Sequence, residues 1–380
     1  MKLALKITPQ RTTQYAHMTA SLATPELLAS PLAAAIDEVA PVTLAGQSYL
    51  LATLDVARIP SPTVFDSLFR LGAISEVYEY FDSAFLSAPT MNRGATGVEA
   101  LERGTLSKDF ERIGEVAGPL LRPLEPRFTP FVPLEMAEAR RYRGKTNEVF
   151  TRVLLNVALF AGAYREQYTQ RLRILDPLAG GGTTLFLALA YGYDAFGIEL
   201  ERQDVETTAV FVRQYFANEG MRVKEIDERS RKAGRRHQFE IGPKGETRLL
   251  VLAHGNAREA ALHMREVAGG PRMHAIVGDL PYGIQHFGEI ASLLSESLPV
   301  WERMLLPGGS LALAWNATRI ERAALVELIE CHSSLYVLNE PPYTRFAHAV
   351  DRVIKKRDIV VAVSRQAGSR AGASPAPTEE

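Results

Sequence analysis

The chain has 380 residues, 46% of them hydrophobic, and its 43 lysines and arginines nearly balance 44 aspartates and glutamates, for a formal net charge of −1. That length suits two or three domains, and near-neutrality excludes a uniformly basic nucleic-acid coat, leaving only local clusters to consider. A single cysteine, Cys331, rules out an intrachain disulfide and a thiolate zinc cluster; no run of about 18 apolar residues offers a membrane span, and a reducing cytoplasm is the expected compartment.

Residues 1–7 alternate and then meet Thr8-Pro9, which predicts a strand and not a signal peptide. Leu27, Leu28, Leu32, Ala35, Ile36 and Val39 recur at helical spacing behind Thr24-Pro25, predicting a helix over 25–39 that Pro31 would kink or break. Residues 48–54 are β-rich. Val64, Phe65, Leu68, Phe69 and Leu71 predict a helix over 62–71, closed by Gly72. Residues 1–85 therefore read as a small α+β, ferredoxin-like unit with a possible RNA-binding role. Residues 86–143 open without helical or strand periodicity and read as a connector with a few helical turns, ending in the basic run Arg140-Arg141-Tyr142-Arg143.

From 144 to 365 strands and helices alternate. Thr146 is placed to cap a helix carrying Val153, Leu154, Leu155, Val157 and Leu159. Strands are predicted at 172–175, 195–198, 249–252, 275–277 and 311–314, with helices between them, the first over 183–191. Such alternation implies a parallel sheet with right-handed crossovers, that is, a doubly wound, Rossmann-like α/β fold. Two β-rich runs within 350–363 predict a hairpin that closes the sheet. Residues 366–380, dominated by Gly, Ala, Ser, Pro and Glu, read as a disordered tail.

Gly180, Gly181 and Gly182 follow Asp176 at the end of the first strand of this body and lead into Thr183-Thr184. Glycine permits positive φ and lets a ligand lie against bare backbone, while the amides of a helix start favour an anionic group. The spacing is not Gly-x-Gly-x-x-Gly, and no lysine follows as in a P-loop; a tight structural turn is the alternative. Glu199 ends the next strand, where a carboxylate can accept both hydroxyls of a ribose or simply favour the helix start after it. Asn256, after the third strand, offers an amide to an adenine edge or serves a plain turn.

Asp279-Leu280-Pro281-Tyr282-Gly283 follows the strand at 275–277. A carboxylate, a restrained turn and an aromatic ring at one strand end can grip a planar group that carries an amine. A ring-conjugated amine is a poor nucleophile, so catalysis must orient it and accept its N–H groups. Asp279 and the Leu280 carbonyl, aimed by Pro281, are the candidate acceptors. Tyr282 is the candidate stacking partner, a contact worth roughly 1–3 kcal/mol. A strand-end turn with a core tyrosine is the alternative.

In combination these segments resemble S-adenosyl-L-methionine-dependent amino-methyltransferases. The stretch from Asp176 to Thr184 resembles their motif I, Glu199 their ribose-binding acid, and Asp279 to Tyr282 their Asp/Asn-Pro-Pro-Tyr/Phe motif IV. Leu280 replaces the first proline of that motif, a form found among THUMP-associated tRNA guanine-N2 methyltransferases. The resemblance spans 144–365 and implies a class I methyltransferase sheet, S-adenosyl-L-methionine as cofactor, tRNA as partner and no membrane. Other readings are a DNA amino-methyltransferase acting on adenine N6 or cytosine N4, and a catalytically silent nucleic-acid-binding protein.

Arg229, Arg231, Lys232, Arg235, Arg236 and His237 form the densest basic cluster, expected on an exposed insertion that touches phosphates. Glu225, Asp227 and Glu228 nearby fit a solvated face equally. Arg141 and Arg143 beside Tyr142 are a second candidate patch. The histidines show no metal-ligand spacing, so no metal is expected, and no Gly-x-Ser-x-Gly elbow occurs.

Overall fold

The computed structural model describes residues 1–59, 61–89, 110–126, 128–142, 144–230, 234–281, 287–350 and 355–365. The expected tail at 366–380 lies outside the described residues. The N-terminal unit runs β1 (Lys2–Ile7), α1 (Thr13–Ala29), β2 (Ile36–Leu44), β3 (Gln47–Leu54), α2 (Pro62–Phe65), β4 (Ile74–Pro89) and β5 (Phe110–Pro123). Its strands form one antiparallel sheet of order β2-β3-β1-β4-β5. The first four have the ferredoxin-like order, and β5 is added at the β4 edge.

Two expectations fail in this unit. The helix placed at 25–39 starts earlier, capped by the Thr12 hydroxyl that accepts from the Tyr15 amide, and it runs through Pro25 to Ala29. Pro31 drives the residue before it out of helical space, and Ser30 is extended (ψ 163°). Ile36 and Val39 then pair with β3 as part of β2. Residues 110–123, read as connector, form β5 and pair with β4 from Tyr78↔Pro123 to Pro89↔Phe110. Two register shifts in that ladder break the period-two pattern that would have revealed it.

The second body begins with α3 (Met136–Ala139) and α4 (Glu148–Ala161). Then come β6 (Arg173–Asp176), α5 (Thr183–Ala190), β7 (Asp194–Glu199), α6 (Arg202–Asn218), β8 (Val223–Ser230), β9 (Gly234–Ile241) and β10 (Arg248–His254). The remainder is α7 (Ala260–His263), β11 (Met273–Asp279), α8 (Phe287–Met304), β12 (Leu305–Asn316), α9 (Arg322–His332), β13 (Tyr336–Val337) and β14 (Arg357–Val363). The nine strands are ordered β13-β14-β12-β11-β6-β7-β10-β9-β8. The five from β12 to β10 are parallel, and β14 runs antiparallel to β12. This is the doubly wound, Rossmann-like sheet expected from the alternation of elements. Strand order reverses between β6 and β11, where open α/β sheets bind their ligands.

Two further expectations change. The sheet is closed by β14 between β12 and the short β13, whereas a hairpin within 350–363 had been expected; residues 351–354 lie outside the described residues. The cluster expected on an exposed insertion falls in part on β8 and β9, which extend the sheet beyond β10, while residues 231–233 lie outside the described residues. Among the described residues no helix is long and apolar enough to cross a membrane.

The two bodies share one hydrophobic core, and a buried carboxylate sits in their contact. Glu26 on α1 accepts from the Gly72 and Ala73 amides (2.7 and 2.9 Å) and from Asn156 Nδ2 on α4 (2.8 Å). Burial pushes its carboxyl above the usual range, opposed by these three donors. A Cβ on Gly72 would lie 2.8 Å from both Arg152 Cβ and the Val153 amide nitrogen of α4. The close seating therefore requires glycine there. Gly72→Ala should cost about 1–3 kcal/mol by overpacking, read as a lower urea midpoint; an unchanged midpoint would show that the contact relaxes freely.

Candidate active site

Parallel pairing sets Ile174 beside Ala275 and Leu175 beside Ile276, so Asp176 and Asp279 leave neighbouring strands at the same edge of the sheet. One cavity of about 810 Å³ opens there. Asp176, Gly180, Thr183, Glu199, Asn256 and Asp279 all line it, which brings the two sequence motifs into a single site.

The glycine turn is shaped from both sides. Gly180 and Gly182 are left-handed (φ +50° and +90°), and a Cβ on Gly180 would meet nothing within 4 Å, leaving its bare backbone open to a ligand. Gly181 is covered instead: a Cβ there would come within 2.2 Å of the Tyr142 ring. The Tyr142 hydroxyl lies 2.8 Å from Thr183 Oγ1 at the start of α5. Glu199 is fixed by the turn itself, accepting from the Gly180 amide at 2.7 Å and the Glu201 amide at 2.8 Å. Each carboxylate oxygen keeps a further lone pair for a hydroxyl donor.

Asp176 is 3% exposed. Its Oδ1 accepts from the Leu178 amide at 2.9 Å, and Thr184 hydrogen-bonds the same carboxyl. Burial pushes this carboxyl up to about 7; Thr184 and Leu178 oppose the rise, while Asp279 and Glu199 add to it. Asn256 serves its turn as well as the cavity, since its Oδ1 accepts from the Arg258 amide at 3.0 Å.

On the acceptor side, Asp279 Oδ2 accepts from Thr146 Oγ1 at 2.8 Å and forms an ion pair with Arg357. The Leu280 amide donates to the Ala314 carbonyl at 2.9 Å, and its side chain is buried, so the chain turns away from the sheet at Pro281, which is exposed. Tyr282 and Gly283 lie outside the described residues. The expected cap of α4 moves by one residue. Asn147 Oδ1 accepts from the Phe150 amide, which releases the Thr146 hydroxyl to Asp279. Tyr142, Thr146 and Arg357 acquire a place in the site that no local spacing announced.

The proposed phosphate contacts divide. Arg141 is exposed, whereas Arg143, Arg231 and Lys232 lie outside the described residues. Arg235 forms an ion pair with Glu206 on α6, and Arg236 is buried and donates to the His263 carbonyl at 3.1 Å. These two arginines tie β9, which lies between β10 and the edge strand β8, to α6 and to the His263 carbonyl. Arg140 is likewise buried, donating to Thr207 Oγ1 and lying 5.4 Å from the Tyr142 ring centre.

No protein-family model and no curated protein matches the chain. Among solved structures it is similar to TrmN from Thermus thermophilus, at 16% identity over 96% of this chain and 99% of that one, with a TM-score of 0.40. A fibrillarin pre-rRNA processing protein from Methanococcus jannaschii is similar at 13% identity over 56% of this chain and 75% of that one (TM-score 0.34). An rRNA methylase from Streptococcus thermophilus is similar at 14% identity over 52% and 88% (TM-score 0.29).

The raised carboxyl of Asp176 has a stability signature. Its folded value of about 7 exceeds the ordinary 3.8, so between those pH values the native state holds a proton that the unfolded chain has released. The stabilisation is complete at low pH and is lost as pH rises through 7. Asp176→Asn should therefore melt close to wild type at pH 4 and at a higher temperature than wild type at pH 8. Equal melting temperatures at pH 8 would contradict this.

Proposed function

We propose that this chain transfers a methyl group from S-adenosyl-L-methionine to the exocyclic amine of a nucleobase, and specifically to guanine N2 in tRNA. The observation that carries the reading is the shared cavity, with the open Gly180 backbone and fixed Glu199 on one side and the anchored Asp279 carboxylate on the other. The residues present suit the donor. Gly180 offers bare backbone just before the start of α5, where Thr183 also lines the cavity; Glu199 would accept from ribose hydroxyls, Asn256 would meet the adenine edge, and buried Asp176, pushed up to about 7, would ionise opposite a cationic ligand. When bound, that donor supplies a methyl carbon activated by a sulfonium, so that an N–C bond forms as the C–S bond breaks with its electron pair left on sulfur.

The chain's own residues act on the amine. Asp279 accepts one N–H, and the Leu280 carbonyl, directed by Pro281, accepts the other, which turns the nitrogen lone pair toward the methyl group. The displaced proton leaves by way of the Asp279 carboxylate to water. Tyr282 stacks on the base. Leu280 between the acid and the proline supports guanine N2 in tRNA, because that form of the motif belongs to the family the sequence resembles. The ferredoxin-like unit, seated on α4, is the proposed RNA-docking element.

Incubation with labelled donor and either bulk tRNA or duplex DNA tests the reading. N2-methylguanosine should appear in digested tRNA and no label in DNA. Asp279→Ala should reduce transfer by about 10²–10³-fold while calorimetry still detects donor binding. Label in DNA instead of tRNA, or a wild-type protein that binds no donor, would overturn it.

A further inference from the structure

The geometry points to Arg357 and Thr146 as positioning residues that hold the Asp279 carboxylate in one orientation for the incoming amine, an inference that deepens the function proposed above and rests on it. Two donors converge on one oxygen. Thr146 Oγ1 and an Arg357 Nη2 both reach Asp279 Oδ2, and they lie 3.5 Å from each other. Thr146 precedes α4 and Arg357 opens β14, 211 positions later in the chain, so neither contact is an incidental turn or cap.

Arg357 is itself fixed. It is 4% exposed, and its guanidinium carbon lies 3.9 Å from the centre of the buried Phe150 ring. His348 packs against the same ring at 5.1 Å, and its backbone exchanges two 2.9 Å hydrogen bonds with that of Arg357. Burial, with Arg357 nearby, pushes His348 down to about 4, so near neutral pH it adds no second positive charge beside the guanidinium. Strand register carries the alignment inward: Arg357 pairs with Asn316, and Ala314 pairs with Asp279.

A structural role alone accounts poorly for this arrangement. A buried ion pair seldom repays its desolvation cost relative to apolar packing. Here one partner lines the reaction cavity, and the pair restrains rotation of its carboxylate. Fixing an acceptor before the amine arrives removes a reorganisation cost from the reaction. The guanidinium matters as well as its charge, since it can pack against Phe150 and donate to Asp279 at once.

The test uses the full-length protein, labelled S-adenosyl-L-methionine and bulk tRNA. Arg357→Gln and Thr146→Val should each lower kcat by about tenfold or more, with KM for tRNA and donor affinity within about twofold, as for an interaction used in the transition state. Arg357→Lys should recover part of the loss. In an Asp279→Asn background Arg357→Gln should add nothing further, because it acts through that carboxylate. Wild-type kcat in both single variants, or a fully additive loss in the double variant, would overturn the inference while leaving the proposed function intact. A wild-type protein that labels no tRNA would overturn both. If Arg357→Gln fails to fold, Thr146→Val and Arg357→Lys decide the question alone.

Discussion

Two parallel pairs, Ile174 beside Ala275 and Leu175 beside Ile276, are the constraint on which the site depends. They join strands about a hundred residues apart in the chain and place their carboxyl ends next to one another at the point where strand order reverses. Everything between them in sequence, from the glycine turn to the β8–β9 pair, is built outward from β6 in one direction. Everything after β11 is built in the other. The crevice arises because the chain changes direction across the sheet, and side chains at the two strand ends share it with the segment that leads into α4.

The electrostatics follow from that placement. Asp176, Glu199 and Asp279 are among the carboxylates that line one cavity, and each of the three is restrained differently. Glu199 is tied by two backbone amides, Asp279 by a hydroxyl and a guanidinium, while Asp176 is buried and hydrogen-bonded by Thr184 and the Leu178 amide. The least solvated of them, Asp176, is the one whose carboxyl is pushed up to about 7, so holding it ionised is a burden on folding that a cationic ligand would relieve.

Much of this was legible in the amino-acid order because the chemistry is local. The glycine turn, the acid that follows the next strand and the Asp-Leu-Pro corner each declare themselves within a few residues, and the strands flanking them are short apolar runs. What escaped is non-local or irregular. Arg357 sits in a charged run, Lys355 to Asp358, that looks like a hairpin tip, and only the antiparallel register of β14 turns it toward Asp279. Thr146 resembles a helix cap until Asn147 takes that place. Tyr142 resembles part of a basic patch until Gly181 provides a surface for its ring. In the first unit, Pro25 suggested where a helix begins although it lies inside one, and β5 concealed its alternation behind register shifts.

The position of Arg357 at the head of β14 bears on biogenesis. During synthesis the glycine turn and the Asp279 corner emerge well before the segment that supplies the guanidinium. A ribosome-bound intermediate would possess the glycine turn while the Asp279 carboxylate still lacked its Arg357 partner, and the complete site would await insertion of the antiparallel strand between β12 and β13.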